Sequence, residues 1–557
     1  MRSVFLLFFF LISSLAGATD YYVSSTLPGA LRNIDEVNLL DLEPGDRVLF
    51  EGGQTFLGNM ILGPEDLGTA AQPVVIASYG SGRATINAQT GTAIYGKNCA
   101  GIEIKDLILR TTGQASNTGH GVSVWMDLPG GAKLDHLVLD NLDISGFGGR
   151  GIQIGSKPMA GENPDCGPSG YRGIRVTNVL CHWNKTDGML VWGRGWPCAD
   201  LVGWAHENLY VANCKFYENW GDPLVSSFNT GSGLKIYDVG GATIERCVAY
   251  RNGQNCKNRK GGPVGIWAFN SNDVTIQHCE SYENKTGNGS DGGGFDLDGG
   301  MTDSVIQYCY SHENQGYGYL LAQFNGARPF SGNSIRYNIS QNDGRADNEG
   351  AINVWDYYGG SQLQNTQVYN NTIFIQPALQ GTPAAVKFLS PVASSVCFRN
   401  NLFITTGGVR LVWAEGFRVG GAFQQNDYWP SGGTFQIQWG ATTYGSLRAW
   451  RDATNQERIV IRQGTFDLGG SGDPLFRGPL PIAMPQGGDS TPPLALRAYK
   501  LQSISPVIDR GLNLFMRLFR VDPGSQDLYG TPLFYGSSFD IGAHEWTEAS
   551  PTHTDQL

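Results

Sequence analysis

Apolar and polar residues alternate with a period of two in short runs along the chain, as in Val274-Thr275-Ile276 and Leu234-Lys235-Ile236, and glycine-rich stretches separate the runs. Such runs read as half-buried strands, and no segment of comparable length between them has the 3.6-residue period of a helix. Four copies of one pattern follow each other: Cys214-Lys215-Phe216-Tyr217-Glu218-Asn219, Cys247-Val248-Ala249-Tyr250-Arg251-Asn252, Cys279-Glu280-Ser281-Tyr282-Glu283-Asn284 and Cys309-Tyr310-Ser311-His312-Glu313-Asn314. With the residue after the preceding strand as an anchor, the wider series runs Asp106, Asn141, Asn178, Cys214, Cys247, Cys279, Cys309, Asn338, Asn370 and Asn400, the last seven spaced 29 to 33 residues apart. Repeats of about 20 to 50 residues mark solenoids. Short strands without crossover helices cannot make a doubly wound sheet, but they stack as coils of a parallel β-solenoid, each covering the apolar edge of the last.

On these repeats the chain resembles the right-handed parallel β-helix family of secreted polysaccharide-active proteins, over roughly Leu42 to Thr405. The resemblance implies an all-β fold, a right-handed parallel β-helix with N- and C-terminal caps, and an asparagine ladder at one turn. Side-chain amides stacked at about 4.8 Å bond to one another and to turn backbone, and Asn219, Asn252, Asn284 and Asn314 are placed to do so. Cys214, Cys247, Cys279 and Cys309 read as a stack of buried thiols continued by Asn338; adjacent-coil disulfides and metal ligation are the alternatives, and no CxxC pair supports a zinc site. Pro44-Gly45-Asp46-Arg47-Val48-Leu49-Phe50 resembles a first coil. Ser505-Pro506-Val507-Ile508-Asp509 and Asp540-Ile541-Gly542-Ala543-His544-Glu545 resemble closing segments. The organisation expected is therefore 19–405 β-helix with its N-terminal cap, 406–546 terminal coils and C-terminal cap, and 547–557 a disordered tail.

Composition narrows the picture. Glycine supplies 77 of 557 residues and charged residues only 16%, which excludes helical bundles, while 41% hydrophobic residues suffice for a core. A net charge of −11 argues against nucleic-acid or anionic-membrane binding. Arg2, the apolar run Val4 to Ile12 and Ala16-Gly17-Ala18 read as a signal peptide over 1–18, hence a secreted or periplasmic protein, with no later membrane span and a monomeric state expected. Export permits disulfides, and Cys166 with Cys198, in comparable loops, is the pair considered. The sequons at Asn184, Asn284, Asn288, Asn338 and Asn370 matter only in a glycosylating host.

Placing Val, Ile and Leu inside assigns the outer residues of the strand after each long loop. Lys235 and Tyr237, Trp267 and Phe269, Asp296 and Asp298, Asn353 and Trp355, Lys387 and Arg410 face out, with Trp125 and Trp192 in earlier coils. Stacked coils turn these into one stripe of aromatics and bases with two carboxylates near its middle. Aromatic faces suit sugar rings, and the partner expected is a poly- or oligosaccharide. Asp296 and Asp298, two apart on one strand, have Cα atoms about 6.8 Å apart and carboxyl groups on one face, so one raises the pKa of the other. The first reading is a glycoside hydrolase using this pair, without a cofactor. The runner-up is a polysaccharide lyase, with Asp291, Asp296 and Asp298 holding Ca²⁺ and Lys235 abstracting the proton; Lys235, Lys387 and Arg410 favour an acidic glycan. A non-catalytic glycan-binding surface protein is the third. Tyr217, Tyr250, Tyr282 and His312 read as coil packing. Gly119-His120-Gly121 resembles a polygalacturonase motif, but that family's paired-Asp motifs are missing. Asp222, Asp238 and Asp343 are the next acids to consider.

Overall fold

A computed structural model describes residues 17–157, 168–194, 202–258, 261–287, 289–357, 363–389, 395–414, 421–482 and 496–548. Most of the leader, Cys166, Cys198, Asn288 and most of the tail lie outside these residues.

Each coil contributes one strand to each of three parallel sheets. Among the described residues the first sheet has fourteen strands, from Asp20–Val23 to Ala422–Gln424; the second has thirteen, from Thr55–Leu57 to Asp427–Ser431; the third has fourteen, from Met60–Leu62 to Thr442–Tyr444, the last of them antiparallel. The coil of Val239–Glu245, Val248–Tyr250 and Val264–Phe269 is typical. One left-handed residue joins its first strand to its second, and a long loop leads to the third. The interior is a single column of buried Val, Ile, Leu, Phe and Cys running the length of the solenoid.

Register corrects the anchor row at both ends. The strand pairs Lys215–Val248, Val248–Glu280, Glu280–Tyr310, Tyr310–Ile339, Ile339–Thr372 and Thr372–Leu402 make the inward row Cys214, Cys247, Cys279, Cys309, Asn338, Asn371 and Asn401. Asp106, Asn141, Asn178, Asn370 and Asn400 stand one residue earlier, in the left-handed turn, with φ between 50° and 58°. Asn tolerates that conformation well, so two adjacent asparagines compete for the two places. The four thiols are buried and unoxidised. From Asn338 on, the amides bond rung to rung, Asn338 to Asn371 at 3.0 Å, Asn371 to Asn401 at 2.9 Å and Asn401 to Asn426 at 2.8 Å, ending on the Glu457 carboxylate at 2.7 Å. The second ladder runs Asn184, Asn219, Asn252, Asn284, Asn314 with 2.9 to 3.1 Å between rungs, and ends on Asp343 at 2.8 Å. Outside the second sheet His182, Tyr217, Tyr250, Tyr282 and His312 stack ring on ring at 4.6 to 4.9 Å, as coil packing requires.

Parallel coils continue past residue 405 to Ile437–Trp439. The helix Leu447–Thr454, capped by Ser446, then closes the end by burying Trp450 against Phe423, Tyr428 and Trp439. The last segment lies along the side of the solenoid instead of across its end. The outer face of the second sheet turns apolar at Tyr310, Ile339, Phe374 and Ile404, and Leu496, Tyr499, Leu501, Val507 and Ile541 cover it. Among the described residues no helix is long and apolar enough to cross a membrane.

Candidate functional site

The outer face of the third sheet carries two rows set by strand register. One row is Lys235, Trp267, Asp296, Leu320, Asn353, Lys387 and Trp413. The other passes through Trp125, Gly155, Trp192, then Tyr237, Phe269 and Asp298, then Ala322 and Trp355; the Asp298 amide donates to the Ala268 carbonyl and carries the register on. Asp296 and Asp298 thus do face outward together, with aromatic residues in the coils before them and Trp355 two coils after.

Glycines bring a third group to the pair. A Cβ on Gly293 would stand 2.2 Å from the ring of Tyr317, so only glycine lets that ring lie against the strand. The Tyr317 hydroxyl donates to Asp296 Oδ2 at 3.3 Å, while Asp296 Oδ1, in a residue only 3% exposed, has no partner. A buried carboxylate so poorly bonded resists ionisation. Burial, with the charges of Asp298 and Asp291, holds Asp296 well above the ordinary carboxylate range. Asp298, half-buried, accepts a hydrogen bond from the Gly299 amide at 2.7 Å; burial still pushes it up to about 7, the charge of Asp291 adding to the rise. Asp291 takes the Gly262 amide, which opposes the upward effect of its burial. Glu349, held by Asn353, is also pushed up to about 7 by burial, against the pull of Lys387. Tyr317 feels all four acids. The expected pair is therefore part of a cluster. Tyr317 and Glu349 come from loops with no alternation to mark them; the run Gly292-Gly293-Gly294 was the only hint that a bulky neighbour lies there.

Towards the N-terminus the cluster borders a cleft of about 350 Å³. Lys235, Tyr237, Trp267 and Phe269 form its floor, Phe228 and Asn229 its wall, and Arg150 with Leu190 its far end. Phe269 stacks on Tyr237 at 4.5 Å and on Trp267 at 5.2 Å. Trp267 donates to Ser232 Oγ at 3.1 Å and packs on Val264, Tyr317 and Leu320, so it serves the core of the groove as well as its surface. Phe228, 49% exposed, was not anticipated, since loop residues carry no register.

The remaining predicted residues divide. Trp192 lies over Gly155, and Trp125 donates to the Tyr95 hydroxyl at 2.8 Å; both extend the row beyond the cleft. Asn353 is fully buried and bonded to Glu349 and to the Gly350 amide, so it shapes the loop instead of offering a surface. Arg410 does not follow Lys387: the strand Arg410–Ala414 pairs Arg410 with Ala384 and puts Trp413 beside Lys387. Both cations then rest on the Trp413 ring at 4.4 Å, far from Lys235, and the bases do not form one patch. Among the described residues no three acidic, His or Cys side chains are grouped closely enough to hold a metal ion. His120 accepts from the Arg150 amide at 2.9 Å. Asp343 ends a ladder, Asp238 is sealed between Arg194 and Arg328, and Asp222 pairs with Lys185 at 3.0 Å.

Comparison with known proteins agrees with this architecture. The family described as right handed beta helix region matches residues 92–373. A lacto-N-biosidase of Bifidobacterium longum subsp. longum is 29% identical over 174 residues, 30% of this chain and 10% of that one. The crystal structure of a GH136 lacto-N-biosidase from Eubacterium ramulus superposes with a TM-score of 0.50 at 19% identity, over 66% of this chain and 65% of that one. A pectate lyase structure aligns over 95% of this chain and 96% of its own, with 15% identity and a TM-score of 0.36. The chain thus spans less than two thirds of either lacto-N-biosidase.

Proposed function

Because the chain belongs to the right-handed β-helix family, we propose that it is an exported, monomeric carbohydrate-active enzyme, a glycoside hydrolase that takes a poly- or oligosaccharide along the outer face of its third sheet. The observation that carries the reading is the cluster of Asp291, Asp296 and Asp298 beside an aromatic cleft. The likeness to proteins named lacto-N-biosidases favours hydrolysis over elimination.

Glycoside hydrolysis needs one protonated carboxyl at the leaving oxygen and one ionised carboxylate to act as base or nucleophile. Asp298, raised to about 7 and open to the groove, suits the acid. Asp296 is too deeply buried and too reluctant to ionise to be the base. Asp291 is half-buried, and burial raises it although the hydrogen bond from the Gly262 amide opposes that rise; of the three acids it is the one we assign as the ionised partner. Asp296, held neutral, then donates a hydrogen bond to the sugar or to Asp298. The expected pair becomes a trio in which Asp298 keeps its role.

The test is turnover of neutral and acidic oligosaccharides, following new reducing ends and the ultraviolet absorbance of unsaturated uronates together. Hydrolysis gives reducing ends without absorbance, and Asp298→Asn lowers it at least about a hundredfold. Matching absorbance means elimination, and binding without either product means a glycan-binding protein.

A further inference from the structure

We propose that the cleft beside the carboxylates is a subsite for an anionic sugar residue, bearing a carboxylate or a sulfate, two coils N-terminal to the cleaved bond. This rests on the hydrolase reading above. The cleft is built around two cations and one anion. Asp187, fully buried behind it, accepts from Arg150 Nε at 3.0 Å and from the Ser232 amide at 3.0 Å, and lies 3.7 Å from Lys235 Nζ. Arg150 Nη1 donates to Gln153 Oε1 at 2.8 Å. The other titratable groups near by add no charge: burial lowers His120 to about 4 and raises Tyr237 to about 12, leaving both neutral. The balance is one net positive charge in a cleft otherwise walled by aromatic rings.

Lys235 places that charge. Its residue is only 6% exposed, yet it is among those that line the cleft. Of three donors it directs one to Asn229 Oδ1 at 2.8 Å, and the approach of Asp187 at 3.7 Å is too long for a good hydrogen bond. A buried ammonium with unused donors is costly unless an acceptor arrives, and an anion satisfies charge and donors together. Lys235 Nζ lies 5.5 Å from the Trp267 ring, which is only 4% exposed, so a sugar resting on the more open Phe269 and Tyr237 turns a ring substituent towards the ammonium. A neutral sugar offers only hydroxyls to this point. Of the acids two strands on, about 10 Å along the groove, the ionised Asp291 repels an anion placed there, which fixes the order of residues along the chain.

The experiment measures calorimetric affinity of the Asp298→Asn protein for oligosaccharides bearing a glucuronate or galacturonate, for their carboxyl-reduced forms and for sulfated forms. An anionic ligand is expected to bind at least about tenfold more tightly than its neutral form, with the preference shrinking in high salt; the tighter of the carboxylate and sulfate arms identifies the group. Adding Lys235→Met should bring the charged-to-neutral affinity ratio to about one, and Lys235→Arg should retain the preference. Equal affinities for charged and neutral forms, or a preference that survives Lys235→Met, overturn the proposal. Should Lys235→Met not fold, the charged-to-neutral ratio of the parent protein decides. If Asp298→Asn still cleaves glycans normally, the assignment of Asp298 as the acid fails, and if the products are unsaturated the hydrolase reading fails; if it is inactive and charge makes no difference, only the subsite fails.

Discussion

Two sets of buried carboxylates in this molecule share raised pKa values but differ in every bond they make. Asp343 and Glu457 end the two amide ladders and are pushed to about 6 and about 7 by burial. Asp343 accepts from the Asn314 amide and side chain and, at 2.6 Å, from Ser340; Glu457 accepts from Asn426 and, at 2.7 Å, from Tyr428. Asp296 has one long hydrogen bond and an oxygen with none, and Asp298 has one backbone donor. A perturbed pKa therefore does not by itself mark a site in a solenoid this deep; unused hydrogen-bonding capacity beside an open cleft does. The ladder acids complete an interior, whereas the groove acids keep hydrogen-bonding capacity unused.

The sharpest way to break the comparison is to remove one acid from each set. Asp298→Asn should cut turnover at least about a hundredfold, the scale of losing a general acid, while Asp343→Asn keeps the Oδ1 acceptor of the ladder and should leave turnover within about twofold of normal, as measured by initial rates on one substrate. Next in size is the pH profile. Asp298 must carry a proton to act as acid, so turnover should fall about tenfold per unit as pH rises beyond about 7, and Asp343→Asn should not move that limb. In stability the order reverses. Asn371→Ala strands the amide of Asn338 and the backbone donor it served, at a cost of about 1–3 kcal/mol, read as a lower melting temperature with unchanged turnover per folded molecule.

The last comparison concerns protons. Asp298 in the native state holds a proton that the unfolded chain has already released between about pH 4 and pH 7, so it lowers stability progressively as pH rises through that window. Asp298→Asn should therefore melt higher than the parent protein at pH 8, with the difference vanishing near pH 4.

Most of the fold was legible because a two-residue period and a repeat of about thirty leave few alternatives. The thiol stack follows from the repeat spacing, and the ladder at Asn219, Asn252, Asn284 and Asn314 from the resemblance to β-helix proteins together with that spacing. Asn370 and Asn371 could not be told apart, because a left-handed turn and an inward rung both accept asparagine. The outward placement of Asp296, Asp298, Trp267 and Phe269 was legible for the same periodic reason. Arg410 rests on the outward Trp413 ring, but register sets it against Ala384 and not Lys387, and alternation within one strand does not give the register between strands. Tyr317, Glu349, Asp187 and Phe228 come from loops or strand ends, where neighbouring coils decide position and no local pattern records it.

The most direct measurement is the pair of rates for Asp298→Asn and Asp343→Asn on a single cleaved oligosaccharide, both proteins first shown to be folded. The account predicts an Asp298→Asn rate at least about a hundredfold below that of Asp343→Asn, with reducing ends and no unsaturated product from the active protein. Equal rates from the two variants would contradict it.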